Sequence, residues 1–257
     1  SVLQADAGVI IAPRSDISHH DIACEQMFVF VDNPRETFRV ILSAMFSDQI
    51  EYSMGLNDGK MFESFGVKSW VAISATVASS VKLGECCVIH PGAILYPNVT
   101  IGDNVEIGAG SIIGAPGYGH VRGIDGKLNH FPHIGGVIIG NNVTVGNNSC
   151  VDSGGLSPTL VGEGCKIGNL TQIAHNVVLE EDCLIGTRCQ IAGGTVVGKH
   201  TEVWAGSTIS NNRRIGKNCS IKIGSVVITD LEDNSIVSGN FATAHQARMA
   251  EFKKTGI

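Results

Sequence analysis

The chain has 257 residues, 43% of them hydrophobic and 16% charged, with a formal net charge of −6. That length and apolar fraction suit one large domain, or a large domain with a small companion, built around a real core. The basic stripe that neutralises nucleic-acid phosphates, the roughly 18–20 uninterrupted apolar residues of a membrane helix and the basic-then-apolar start of a secretory signal are all missing, so the reading excludes nucleic acid and a membrane span and expects a cytoplasmic protein.

Residues 1–66 show no repeat. Two apolar runs, Val9-Ile10-Ile11 and Met27-Phe28-Val29-Phe30-Val31, read as strands of a small α/β domain, and the chain begins so close to the first that a longer natural N-terminus is compatible with it. Asn33-Pro34-Arg35-Glu36 then has the chemistry of a helix start: Asn as N-cap, Pro at the first helical position and an acid at the third. The helix it opens is expected to run to about Met45.

From residue 67 to 241 the sequence has a period of six. Aliphatic residues recur at Val77, Leu83, Ile89, Leu95, Ile101, Ile107 and Ile113, then at Ile139, Val145 and Val151, then without interruption from Val161 through Ile167, Ile173 and Leu179 to Val227. Four places after each comes a second, smaller row that includes Cys87, Ala93, Ser111, Thr171, Thr195 and Ser225. Glycine often follows the aliphatic residue directly, as at Gly84, Gly102 and Gly108, where a turning backbone gains from the missing Cβ. One large and one small inward residue per six describes a short strand forming one side of a three-sided coil of 18 residues. A 3.6-residue stripe cannot hold that phase, and a sandwich does not keep one phase over so many strands. The abundance of glycine (32) and the scarcity of aromatics (5%) agree with a backbone that turns constantly around thin aliphatic layers. Five of the eight cysteines fall in the small inward row, and no Cys-x-x-Cys is present, so they read as compact core residues rather than metal or redox ligands.

Two breaks interrupt the rhythm. The first, from Ala115 to about Ile138, holds Gly117-Tyr118-Gly119-His120 and then His130, Pro132 and His133; the second, near Ser153 to Leu160, adds about four residues. A long loop leaving a regular solenoid is usually functional or at a subunit contact. Residues 242–257 have helical composition and read as a short C-terminal helical tail.

The period resembles that of the hexapeptide-repeat acyltransferases. Phe131-Pro132-His133-Ile134-Gly135-Gly136, Val151-Asp152-Ser153-Gly154-Gly155 and Asn169-Leu170-Thr171-Gln172-Ile173-Ala174-His175-Asn176 are similar, in order and spacing, to the UDP-3-O-acylglucosamine N-acyltransferase family of lipid A synthesis. The likeness is strong over 112–230 and weak before 66. It implies a mainly β fold, a left-handed parallel β-helix, assembled as a homotrimer, with residues 1–66 resembling a nucleotide-binding domain. It also implies transfer of an acyl group from acyl carrier protein or coenzyme A thioester, the donor substrate, to the amine of a nucleotide-linked amino sugar. No permanently bound cofactor and no metal are implied.

Carried over position by position, the resemblance makes His175 the general base and Gly193 the donor of an oxyanion-stabilising N–H, while the coil count below offers Asp152 to position the base. It marks Phe30 and Asn33 for the nucleotide base, and Gly239 and Asn240 for the thioester carrier's phosphopantetheine arm; the long loop offers Tyr118, His120 and His133 for the substrate, beside Asn169, Asn176 and Asn212 on the coils. Position 212 holds Asn where the family has a second histidine, and Phe241 stands for the expected proline. Coil arithmetic adds independent support: one coil back from Ala174, allowing for four inserted residues, lies Asp152, and one coil forward from His175 lies Gly193, at the roughly 4.8 Å spacing of neighbouring strands. A neutral imidazole is available near neutral pH.

Other readings stand beside this one. A related enzyme could acylate a dTDP- or UDP-linked amino sugar for surface polysaccharide with short acyl-CoA; the same residues serve an O-acyltransferase; and a β-helix without chemistry is the bland alternative. A metal-dependent hydratase of the γ-carbonic anhydrase type needs three histidines converging at a subunit boundary, whereas His200 is isolated and the position above His175 is glycine.

Overall fold

The protein is described here as a computed structural model, which covers residues 9–13, 27–31, 37, 68–122, 127–131, 133–239, 242 and 244–246. It divides into two compact units, Ser1–Asn57 and Asp58–Ile257. In the first, the expected strands are present as Val9–Pro13 and Met27–Val31, paired in parallel from Val9↔Met27 to Pro13↔Val31. Of the expected helix only Thr37 is described, and its backbone is helical; Asn33 lies outside the described residues.

The second unit is the left-handed parallel β-helix expected from the repeat. Among the described residues three parallel sheets of eight, seven and nine strands form its three sides, and each strand pairs with its counterpart on the adjacent coil. The register is that of an 18-residue coil: Ile173 pairs with Ile191, Ile191 with Ile209, and Ile209 with Val227. The two rows read from sequence meet inside, with Ile89, Ile107, Ile173, Ile191, Ile209 and Ile221 fully buried and Cys87, Ala93, Thr195, Thr201 and Ser207 beside them. The inward hydroxyls satisfy themselves on the backbone of the next coil; Thr171 Oγ1 donates to the Gly186 carbonyl at 2.8 Å. Within the 67–241 span of the repeat the stack begins at Trp70–Val71, one six-residue side before Val77, where Val71 pairs with Ile89, and it closes on Val237 beside Ile221.

The corners differ from the sequence expectation. Left-handed backbone falls three residues after the aliphatic position, at Asn98, Asn104, Asn142, Asn148, Asn176, Asn212 and Asn218 among others, with φ near +52° to +61°. Asn tolerates this region better than most side chains. The glycine directly after the aliphatic residue serves close stacking instead. A Cβ on Gly102 would stand 2.9 Å from the backbone of Gly140 and Asn141 on the next coil.

Both breaks leave from one corner. The first leaves after Ile113 and forms a hairpin in which His120–Arg122 pairs antiparallel with Leu128–His130, before Val137–Ile139 rejoins the stack between Val99–Ile101 and Thr159–Val161. The second bulges between Val151 and Thr159, the two positions that flank the same corner one coil on. In the next coil that corner is Ala174-His175-Asn176, so both insertions overhang His175. Of the expected C-terminal helical tail, Ala242 and Ala244 are described and are not helical, His245 and Gln246 are described and helical, and the rest lies outside the described residues.

Candidate active site

The two insertions are stitched to each other and then to the corner beneath. Ile134 N–H donates to the Gly155 carbonyl at 2.8 Å, Gly154 N–H to that of Gly136 at 3.1 Å, and Gly136 N–H to the Ser153 hydroxyl at 2.9 Å. Asn176 is the next anchor. Its N–H donates to Thr159 Oγ1 at 2.8 Å, its Oδ1 accepts from Gly155 N–H at 2.9 Å, and its Nδ2 donates to the Ser157 carbonyl at 2.9 Å and hydroxyl at 3.1 Å. These partners leave one orientation for the amide.

That orientation decides the state of His175. The ring Nδ1 lies 3.2 Å from Asn176 Oδ1. An amide oxygen only accepts, so Nδ1 must carry the proton, and the neutral imidazole has its lone pair on Nε2. Nε2 faces Gly193 on the following coil, where a Cβ would stand 2.7 Å from both Nε2 and Cε1. The Gly193 carbonyl accepts from Asn212 N–H at 2.9 Å, while among the described residues nothing accepts the Gly193 N–H. Base and unspent donor therefore sit together.

From the other side the loop presses on the ring. A Cβ on Gly117 would stand 2.8 Å from His175 Cβ and 3.1 Å from His133 Nε2, and one on Gly119 would stand 2.7 Å from His133 Cε1. The His133 and His175 rings are in contact, with centroids 4.9 Å apart and planes at 59°. Phe131 meets His133 edge-on at 5.9 Å.

His175 opens into a cleft of about 740 Å³ lined by Pro116 and Tyr118 from the loop, Asp152, Gln172 and Ala174 from the lower coils, and Gln190, Ala192, Gly193, Asn211 and Asn212 from the upper ones. Small residues at 174, 192 and 193 leave the room, and the Gln172 and Gln190 amides, paired in register, give it a polar edge. Asp152 enters as the coil arithmetic expects, since Val151 pairs with Ile173. Its carboxylate accepts from Gln172 Nε2 at 2.7 Å, so the bond that orients the imidazole comes from Asn176 and the charge beside it from Asp152. Burial pushes the Asp152 carboxyl up to about 6, against the opposing pull of the Gln172 bond and of His175.

The remaining sequence candidates spread out. Tyr118 is 91% exposed and meets His120 at a tilt of 58°, with centroids 4.9 Å apart at the rim. Asn212 lines the cleft. Asn169 belongs to a different corner, where its Oδ1 accepts from Asn147 N–H at 2.7 Å as Asn147 does from Ala109. Phe30 is half-buried on Met27–Val31 in the other unit. Gly239 packs near Ser225, and Asn33 and Asn240 are outside the described residues. Among the described residues no three His, Cys, Asp or Glu side chains are grouped to hold a metal ion, and no helix is long and apolar enough to cross a membrane.

Sequence reasoning did not assign the cleft positions of Gln172, Gln190, Ala174 and Ala192. The signal was available, because each flanks the aliphatic row on the outward side: Ala174 and Ala192 fall in the coil column of Asp152, and Gln172 and Gln190 in that of Cys150.

Comparison with known proteins agrees with this architecture. The family model described as bacterial transferase hexapeptide (six repeats) matches residues 69–115 and 176–211, and the hexapeptide repeat of succinyl-transferase matches 136–169. A UDP-3-O-acylglucosamine N-acyltransferase of Anaeromyxobacter dehalogenans is 43% identical over 106 residues, 39% of this chain and 30% of that protein. One from Legionella pneumophila is 46% identical over 68 residues, 26% of this chain and 20% of that protein. The chain thus aligns with under a third of the length of these relatives. Among solved structures, a UDP-N-acetylglucosamine acyltransferase from Campylobacter jejuni superposes with a TM-score of 0.62 at 23% identity, covering 74% of this chain and 73% of that one. Another from Bacteroides fragilis gives 0.56 at 16%, covering 73% and 78%. The coils of this chain are therefore similar to the hexapeptide repeats of bacterial transferases, on a left-handed β-helix, and in sequence they are similar to the UDP-3-O-acylglucosamine N-acyltransferases.

Proposed function

We propose that this protein is an N-acyltransferase that moves an acyl group from an acyl thioester to the amine of a nucleotide-linked amino sugar. The observation that carries the reading is the setting of His175: its Nδ1 meets the Asn176 amide oxygen, which assigns the proton there and leaves Nε2 bare beside Gly193, whose N–H has no acceptor among the described residues. The similar UDP-3-O-acylglucosamine N-acyltransferases supply the reaction class and the acceptor class.

In this mechanism the acceptor amine approaches the thioester carbonyl in the cleft, and Nε2 of His175 takes its proton as the C–N bond forms. The carbonyl oxygen becomes an oxyanion that accepts from Gly193 N–H, a donor already in place before the reaction. Asp152, ionised above about pH 6, stabilises the imidazolium from the neighbouring coil. Collapse breaks the C–S bond, and the departing thiolate takes the proton from His175 Nε2, leaving an amide, a thiol and the starting enzyme. Tyr118, His120 and His133 at the loop, with Asn212, contact the acceptor or donor.

The wider reading keeps residues 1–66 as a nucleotide-binding-like domain with Phe30 and Asn33 at the base, 67–241 as the acyltransferase domain and 242–257 as a helical tail. Gly239 and Asn240 lie toward the carrier arm, the donor is acyl carrier protein or coenzyme A thioester, and the protein works as a cytoplasmic homotrimer. Thiol release tests it. Long acyl-carrier-protein and short acyl-CoA donors are offered separately with UDP- and dTDP-linked amino sugars, to wild type and to His175→Ala. Turnover with a long carrier-bound chain and UDP-acylglucosamine places the enzyme in lipid A synthesis, turnover with short acyl-CoA places it in polysaccharide tailoring, and release unaffected by His175→Ala rejects the mechanism.

A further inference from the structure

At the corner that carries His175, the inward row reads Val81, Val99, Val137, Thr159, Val177 and Thr195, all buried, and then Arg213. A guanidinium cannot stay among Ile and Val side chains without an answer to its charge. Its side chain is 33% exposed; Nε donates to the Asn211 carbonyl at 3.1 Å, and Nη1 lies 3.7 Å from the Asp230 carboxylate. Asp230 is itself 59% exposed and also accepts from Arg214 N–H at 3.0 Å. An ion pair this long and this wet holds its partners weakly. Among the described residues its five N–H donors meet two acceptors, and the guanidinium fork suits two oxygens of a phosphate.

The place matters as much as the charge. Asn211 and Asn212 are the cleft residues on the coil farthest toward the C-terminus, and Arg213 follows them directly, hydrogen-bonded to the first. It stands two coils from His175, about 9–10 Å along the axis. Asp152 lies one coil from His175 in the opposite direction. The cleft therefore has a carboxylate at one end and a cation next to the other.

We propose that Arg213, with the Asn211 and Asn212 amides, forms a phosphate subsite at the C-terminal end of the cleft. The inference rests on the acyl-transfer reading for its choice of ligands, since both substrates of that reaction carry phosphate: the diphosphate of the sugar nucleotide and the phosphate of the phosphopantetheine arm. Asp230 occupies the guanidinium until the phosphate displaces it.

Equilibrium binding to the full chain tests this without turnover. Calorimetry compares UDP with uridine and 4′-phosphopantetheine with pantetheine, on wild type, Arg213→Met and Asp230→Asn. In one of the two pairs the phosphorylated probe binds about tenfold tighter than its partner, and Arg213→Met removes that difference. That pair identifies the source of the phosphate. Asp230→Asn keeps an acceptor for Arg214 N–H, removes the competing charge and tightens the phosphorylated probe severalfold, a gain that misfolding cannot imitate. A wild type without phosphate preference in either pair, or an Arg213→Met protein that keeps it, overturns the proposal. A phosphate preference lost in Arg213→Met supports the subsite even if no thioester and amine pair reacts, in which case only the acyl-transfer reading falls.

Discussion

The imidazole of His175 lies across Gly193, so that a Cβ added there would stand 2.7 Å from both Nε2 and Cε1. Gly193 is outside the left-handed region, so alanine is compatible with its backbone, and the histidine ring is what must move. Gly193→Ala is expected to fold with a melting temperature close to wild type and to lose roughly a hundredfold in kcat, the scale of a catalytic group displaced by about 1 Å, since the backbone N–H itself remains. Circular dichroism melts beside steady-state kinetics check both halves. Unchanged kcat would mean that the ring position against Gly193 is irrelevant to turnover.

Asn176 fixes the tautomer, and the fold also needs it for its left-handed corner at φ +59°. Asn176→Gly keeps the corner and deletes the tether, so the loss should appear in kcat, by about tenfold to a hundredfold, with KM little changed. Nitrogen NMR of the imidazole reads the tautomer directly: proton on Nδ1 in wild type, mixed tautomers in Asn176→Gly.

Asp152 gives a pH signature. Burial raises its carboxyl from 3.8 to about 6, so the folded state binds this proton more tightly than the unfolded chain. Its contribution to stability is full below about pH 3.8 and is lost as pH rises through about 6. Asp152→Asn should therefore be more stable than wild type at pH 7.5, by about 1–2 kcal/mol after allowance for partial exposure, and the difference should fade by pH 4. The same variant should lower kcat, because the imidazolium loses its neighbouring charge. Paired thermal melts at the two pH values, with kinetics at the higher one, separate these effects.

The loop's grip on the site predicts a further steric effect. Gly117→Ala places a methyl against both His175 and His133, while Ala substituted at exposed Leu156, 80% accessible on the second insertion, touches neither ring. Gly117→Ala should reduce kcat at least tenfold and Leu156→Ala should leave it near wild type. Equal effects from the two variants would show that loop position, rather than the contact with the histidines, governs turnover.

The β-helix was legible because each six-residue side must supply one large and one small inward residue, and Ile173, Ile191 and Ile209 state that rule by themselves. The corners were less so. Sequence placed the special backbone at glycines such as Gly102, whereas the left-handed residue is Asn104, two places on; composition alone does not separate a glycine required by stacking from one required by φ. Counting by 18, with four inserted residues allowed for, brought Gly193 over His175 and Asp152 beneath its neighbour Ala174, as the strand registers do. The role of Asn176 as the tether of the ring was not legible, because its partners Gly155 and Ser157 sit in an insertion whose path the repeat does not specify. Arg213 went unnoticed for the opposite reason, as a position that breaks the inward row was simply left out of it.

The most direct test of the account is product analysis by mass spectrometry before and after hydroxylamine, using wild type and His175→Ala with an acyl thioester and a UDP-linked amino sugar. The account predicts an acylated sugar nucleotide that survives hydroxylamine, as an amide does and an ester does not, formed by wild type and absent from a folded His175→Ala protein. An undiminished product from His175→Ala, or a product that hydroxylamine cleaves, would contradict it.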